Sequence, residues 1–98
     1  MIALIFSYDV TDGAEFERTY GPEGDWAKFF GSGAGFIGTE LLRDLEIPGR
    51  YLVIDRWDSG EAYNTFVEQN REEYMRRVDE TAFHHIHELR FGTFETIW

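Results

Sequence analysis

The chain has 98 residues and no cysteine, which sets it at one domain whose core needs no disulfide. Nineteen acidic against nine basic residues give a formal charge of −10, which repels phosphate backbones and removes nucleic acid from the expected partners. The opening MIALIF has neither a basic leader nor a long apolar run, so no signal peptide or membrane span is expected, and the expected compartment is the cytoplasm. Aromatic residues reach 17%, rich for so small a domain, and point to apolar surface that a partner covers.

Residues 1–8 read as a strand that is apolar on both alternating faces. Ile2, Leu4, Phe6 and Tyr8 lie on one side and Ala3, Ile5 and Ser7 on the other, so both sides must be covered. Asp12 and Glu15 have capping-box spacing and open a helix with Phe16 and Tyr20 on its inner face. Gly21-Pro22-Glu23-Gly24 then breaks the pattern before Trp26, Phe29 and Phe30 resume it, with Asp25 as the expected cap of the second piece. The glycines at 31, 33 and 35 follow a helix and precede a strand, the reverse of a phosphate cradle, and read as a helix C-cap with a connection.

Residues 36–45 and 50–57 flank Pro48-Gly49 and read as a hairpin. On its second strand Tyr51, Val53, Asp55 and Trp57 share a face. On its first, Arg43 shares a face with Ile37, Thr39 and Leu41, and an ion pair from Arg43 across to Asp55 is expected. Ser59 caps a helix whose apolar stripe is Ala62, Tyr63, Phe66 and Val67. Asn70 and Glu73 form a second capping box where the helix restarts, carrying Tyr74, Met75 and Val78 inward, with Glu72–Arg76 and Glu73–Arg77 as exposed pairs. Residues 84–98 read as the last strand, with Gly92 at a bulge. His85 and His87 share a face of it and either could act as a base, but a third ligand is not identifiable and no metal is expected.

The order βαββαβ is that of a ferredoxin-like α+β sandwich, an antiparallel four-stranded sheet with helices on one face. The other face is apolar too, and the symmetric way to cover it is a homodimer through the open sheet face, a dimeric α/β barrel.

The runs GFIGTELLRD, GRYLVIDRW and DSGEAYNTF resemble the antibiotic biosynthesis monooxygenase family, and with the first and last strands the likeness spans nearly the whole chain. The resemblance implies the same dimeric barrel. It also implies an activity among cofactor-free oxygenases of polycyclic quinols and phenols, haem-degrading oxygenases, and members without assigned activity. The quinol branch uses a Trp at the end of the third strand, a Tyr six residues later, an Arg farther along, and an Asn four residues before the Trp. Trp57, Tyr63 and, with one gap, Arg76 stand at the first three positions, and Val53 stands where the Asn would be. The haem-degrading branch uses an Asn, a Trp and a His where this chain has Ser7, Phe66 and Arg76, which disfavours haem breakdown.

The implied function is a cofactor-independent monooxygenase, an oxidoreductase acting on a small aromatic quinol or phenol. Its candidate catalytic residues are Trp57, Tyr63, Arg76 and His85, and its candidate substrate contacts are Ser7, Arg43, Phe66 and Tyr74. Read from the residues alone, Trp57, Tyr63 and Tyr74 serve equally as core aromatics, and a non-catalytic dimeric module that holds a small ligand stays open beside the enzyme.

Overall fold

The computed structural model describes residues 1–82 and 87–97. In chain order the elements are β1 (Ile2–Asp9), α1 (Gly13–Tyr20), α2 (Asp25–Gly31), β2 (Phe36–Arg43), β3 (Arg50–Trp57), α3 (Gly60–Gln69), α4 (Arg71–Thr81) and β4 (His87–Glu95). They form the expected ferredoxin-like α+β fold, one four-stranded antiparallel sheet in the order β2-β3-β1-β4 with the helices on one face. None of the helices among the described residues is long and apolar enough to cross a membrane.

Local chemistry sets most of the boundaries. The Asp12 carboxylate accepts from the Glu15 amide at 3.1 Å and the Ser59 hydroxyl from the Ala62 amide at 3.0 Å, so both caps satisfy amides that the first helical turn leaves open. Three expected details are corrected. Asp25 is the first residue of α2 and not its cap, which is Gly24. Asn70 makes no cap bond; its side-chain amide donates backward to the Phe66 carbonyl at 2.9 Å, closing α3 while α4 starts beside it. On α4, Arg76 pairs with Glu73 and Glu80 and leaves Glu72 aside, while Arg77 pairs with Glu73.

The hairpin is also shorter than the alternation suggests. The Asp44 carboxylate accepts from the amides of Glu46 at 2.8 Å and Ile47 at 3.0 Å, a side-chain turn that takes the chain out of the ladder after Arg43. Gly49 then takes φ +78, a conformation that a residue with a Cβ adopts only with strain.

Register decides which side chains meet. Leu4, Phe6 and Tyr8 of β1 stand beside Asp55, Val53 and Tyr51 of β3, all toward the helices. A bulge between Phe36 and Gly38 turns the Phe36 ring to that side, against Trp57 at 5.2 Å, in place of Ile37. A second bulge lies in β4, where Ile5 pairs with Gly92 and Phe6 with Arg90, so Phe91 is the extra residue. The expected bulge at Gly92 is therefore present.

The core beneath the helices falls into two buried clusters. Tyr8, Val10, Phe16, Tyr20, Tyr51 and Val53 make one. Leu4, Phe29, Phe30, Trp57 and Phe66 make the other. Phe6 and Trp26 pack against both, so these two half-buried rings join clusters that otherwise stay apart.

Candidate functional site

Between the two clusters, helices and sheet enclose a cavity of about 350 Å³, in the size range of small-molecule sites. Its floor is the sheet, with Leu4, Phe6 and Tyr8 from β1 and Val53 and Asp55 from β3. Tyr20, Trp26 and Phe30 close one side from α1 and α2. Tyr63 from α3 and Tyr74, Met75, Val78 and Thr81 from α4 close the other, and Glu88 stands at the edge on β4.

The cavity exists because α4 does not pack down onto the sheet. None of its residues is buried, although its stripe of Tyr74, Met75 and Val78 is apolar. The helix is held instead by its margin. The Trp26 indole donates to the Thr81 hydroxyl at 3.3 Å, Tyr74 meets Trp26 edge to face at 5.7 Å, and the Arg77 guanidinium lies 4.7 Å over the Phe29 ring. Met75 and Val78 consequently stay exposed, at 51% and 37%, where they line the cavity.

The walls are aromatic, and the polar groups are few and placed. Tyr8 stands beside Glu88 across the strands, and burial first and Glu88 second push its hydroxyl above the ordinary range. Burial and then the charge of nearby Tyr74 push Tyr63 up as well. Both therefore remain neutral donors at neutral pH. Asp55 is the unusual group. The Thr39 hydroxyl donates to one of its oxygens at 2.6 Å, yet burial outweighs that bond and raises the carboxyl to about 6.

The candidate residues divide among four places. Tyr63 and Tyr74 line the cavity together. Trp57 and Phe66 are buried in the second cluster behind it, and Trp57 is fully enclosed, its indole N–H without a partner among the described residues. Arg76 is exposed on the outside of α4 in its pairs with Glu73 and Glu80. Ser7 lies instead along a separate groove on the bare side of the sheet, with Leu52, His87, Leu89 and Phe91, and Arg43 borders the end of that groove at the sheet edge, its guanidinium turned to Glu17 of α1. His85 lies outside the described residues, as do Phe83, His84, Ile86 and Trp98.

The expected Arg43–Asp55 pair does not form. Arg43 stands beside Tyr51 and Asp55 beside Thr39, two rungs apart on one face, roughly 13 Å along the strand. Arg43 pairs with Glu17 of α1 at 2.7 Å, an oxygen it shares with the Tyr51 hydroxyl at 2.6 Å. That leaves Asp55 free to face the cavity. Sequence reasoning does not single out Asp55, Tyr8, Tyr20 or Trp26 as site residues. The available signal is that a strand face of Tyr51, Val53, Asp55 and Trp57 carries one acid among buried neighbours.

A ferredoxin-like sandwich with an aromatic cavity between helices and sheet is a scaffold for holding small molecules. The antibiotic biosynthesis monooxygenase model matches residues 30–89, more than half the chain, and the chain belongs to that family. No curated protein matches it. Among solved structures it is similar to a variant of SnoaB, a cofactor-independent oxygenase from Streptomyces nogalater, with 20% identity and a TM-score of 0.80 over 99% of this chain and 93% of the other. A candidate antibiotic biosynthesis monooxygenase from Deinococcus radiodurans superposes with a TM-score of 0.73 at 15% identity, over 98% and 92% of the two chains. An MhuD variant with two manganese protoporphyrin IX molecules per active site reaches 0.60 at 24% identity, over 100% and 96%. At these identities the likeness is one of fold.

Proposed function

We propose that the protein is a cofactor-independent monooxygenase of a small, electron-rich hydroxyaromatic compound, a quinol or phenol, bound in the cavity between the two core clusters. The observation that carries this reading is the cavity itself, about 350 Å³ walled by aromatic rings and lined by tyrosines and two carboxylates. An enclosed apolar site raises the energy of a phenolate formed there, and such an anion is an electron donor to dioxygen. For a ring methylene beside the phenol, one oxygen atom of dioxygen becomes a carbonyl and the other leaves as water. The two hydrogens and all the electrons come from the substrate. Tyr63, and Tyr74 beside it, would orient the substrate oxygen, and Trp57 and Phe66 would fix the wall behind them.

Haem breakdown is not supported by the residues. Ser7, Phe66 and Arg76 stand at the positions that the haem-degrading branch uses, and they lie on the bare sheet face, in the core and on the outer side of α4. The second reading, a non-catalytic small-ligand module, rests on Val53, which brings an apolar side chain to the cavity where the quinol branch has an amide.

The protein would work as a homodimer through the open face of the sheet. That face leaves Leu89, Phe91 and Phe94 at 48%, 52% and 48% exposure, beside Ser7, Ile54 and Leu52. Exposed rings in such density on one sheet face are the mark of an interface.

Oxygen uptake and thermal shift, measured on one panel of quinols and hydroxyanthrones without flavin or added metal, test the function. The enzyme reading expects compounds that both stabilise the protein and consume oxygen. Stabilisation without uptake selects the binding module, and neither response overturns both.

A further inference from the structure

Two carboxylates line the cavity, and they differ in kind. Glu88 is exposed on edge strand β4 and stands beside Tyr8. Asp55 lies on β3 within the sheet, between Leu4 of β1 and Thr39 of β2. Among the described residues no Arg or Lys pairs with it, and its one hydrogen bond is the 2.6 Å contact from Thr39. Asp55 is half-buried, and a carboxylate partly withdrawn from water without a cation costs stability, so a position of this kind is better filled by Asn or an apolar residue unless the acid has work to do.

We infer that Asp55 is the hydroxyl-recognising group of the cavity: the carboxylate oxygen that Thr39 leaves open accepts the O–H of a hydroxyaromatic ligand and, in the reaction, takes its proton. The inference rests on the reading of the cavity as a hydroxyaromatic site. In the transfer the O–H bond breaks, its electron pair stays on the ligand oxygen, and Asp55 becomes the neutral acid while the ligand becomes the phenolate. The Thr39 hydroxyl holds the carboxyl in place, and the neutral Tyr63 hydroxyl on the opposite wall is a donor for the phenolate oxygen.

Burial raises Asp55 to about 6, from an ordinary 3.8, which makes it a better proton acceptor by about a hundredfold in the transfer equilibrium while leaving it ionised at pH 7. Among the described residues, the ionisable groups that line the cavity with it are Tyr8 from β1, Tyr20 from α1, Tyr63 from α3, Tyr74 from α4 and Glu88 from β4, and Arg90 of β4 stands on the same side of the sheet beside Phe6. Tyr8, Tyr20 and Tyr63 are all pushed up, away from the window in which Asp55 titrates.

The test is the affinity of 1-naphthol relative to its methyl ether, measured by calorimetry from pH 5 to pH 8. In the wild type the ratio should rise about tenfold with a midpoint near pH 6, since the ionised carboxylate accepts from the hydroxyl more strongly than the neutral acid does. Asp55→Asn, which keeps the shape and an acceptor for Thr39, should flatten the profile, and Glu88→Gln should leave it. Thr39→Val removes a bond that holds the acid down, so it should move the midpoint upward; a histidine elsewhere could supply a limb near pH 6 but not that displacement. With a turned-over substrate, the acid limb of kcat/KM should follow the same variants. A rise that persists in Asp55→Asn, or a flat wild-type profile with both naphthalenes bound, overturns the role of Asp55. Failure of both compounds to bind any form overturns the hydroxyaromatic reading of the cavity, and this role with it.

Discussion

Trp57 meets the ring of Tyr63 edge to face, with centroids 5.6 Å apart and planes at 74°, so that Tyr63 is a wall of the cavity and Trp57 its backing. Trp57 also contacts Phe30, Phe36 and Phe66 at 5.7, 5.2 and 5.5 Å. Each such buried pair contributes about 0.5 to 1.5 kcal/mol beyond its area. On the proposed function Tyr63 would meet the ligand and Trp57 would position Tyr63, and substitutions should separate the two roles.

Tyr63→Phe deletes a hydroxyl from the cavity and leaves the packing, so turnover should fall about tenfold to a hundredfold with little change in stability. Trp57→Phe should slow turnover less. It loses ring bulk but also removes an indole N–H that is buried without a partner among the described residues, which keeps its stability loss to about 1 kcal/mol. Trp57→Ala should cost about 3 to 5 kcal/mol. Steady-state kinetics beside urea denaturation of the three variants check the division. A larger kinetic loss in Trp57→Phe than in Tyr63→Phe would reverse it.

Asp55 sets a pH dependence of stability whose sign is opposite to that of a salt-bridged acid. Its carboxyl is raised to about 6 in the fold from 3.8, so the folded state holds the proton more tightly and the unfolded state ionises first. Its favourable contribution is complete below pH 3.8 and is lost as pH rises through about 6. Asp55→Asn should therefore be more stable than the wild type by about 3 kcal/mol at pH 8 and by roughly half that at pH 5. Denaturant midpoints at the two pH values measure the difference, and an equal gap at both would contradict it.

Gly33 and Gly31 form a matched pair two residues apart. A Cβ on Gly33 would lie 2.3 Å from the Phe66 ring, whereas one on Gly31 would meet nothing within 4 Å. Gly33→Ala should lower stability by about 1 to 3 kcal/mol through overpacking, and Gly31→Ala at the end of α2 should be neutral or mildly stabilising. Thermal melts of the two side by side suffice; equal melting temperatures would mean that Phe66 swings aside freely.

For the proposed dimer, analytical ultracentrifugation should find the wild type at twice the mass of the 11.5 kDa chain. The double variant Leu89→Asp, Phe91→Asp should sediment as a folded monomer. A monomeric wild type at high micromolar concentration, or a double variant that still dimerises, would remove the open sheet face as the interface.

The fold is legible in the sequence because its signals are local. Asp12 and Ser59 cap the helices that follow them, Gly49 supplies the turn, Gly92 marks the bulge, and the two alternating apolar faces of β1 announce a sheet with two sides to cover. The cavity is not legible, because it depends on what packing leaves unfilled. The stripe of Tyr74, Met75 and Val78 has the spacing of a core face, and nothing in that spacing says that α4 stands off from the sheet. Arg43 and Asp55 lie on one face of the hairpin, which suggests a pair, and the register that the Pro48-Gly49 turn sets places them two rungs apart. The Phe36 bulge exchanges Ile37 for Phe36 beside Trp57, which no reading of even alternation produces.

The bulge at Phe91 in β4 reverses sidedness along the strand. Before it, Glu88 and Arg90 stand beside Tyr8 and Phe6 on the helix side; after it, Thr93 takes that side beside Leu4 and Phe94 goes to the bare side beside Ala3. An uninterrupted strand would send Phe94 inward and Thr93 out. One additional residue thus lets a single strand put an acid at the cavity edge and a ring on the opposite surface. Deleting Gly92 would remove the bulge, set Phe91 opposite Ile5 on the bare side, and leave Thr93 and Phe94 beside Leu4 and Ala3 as they are.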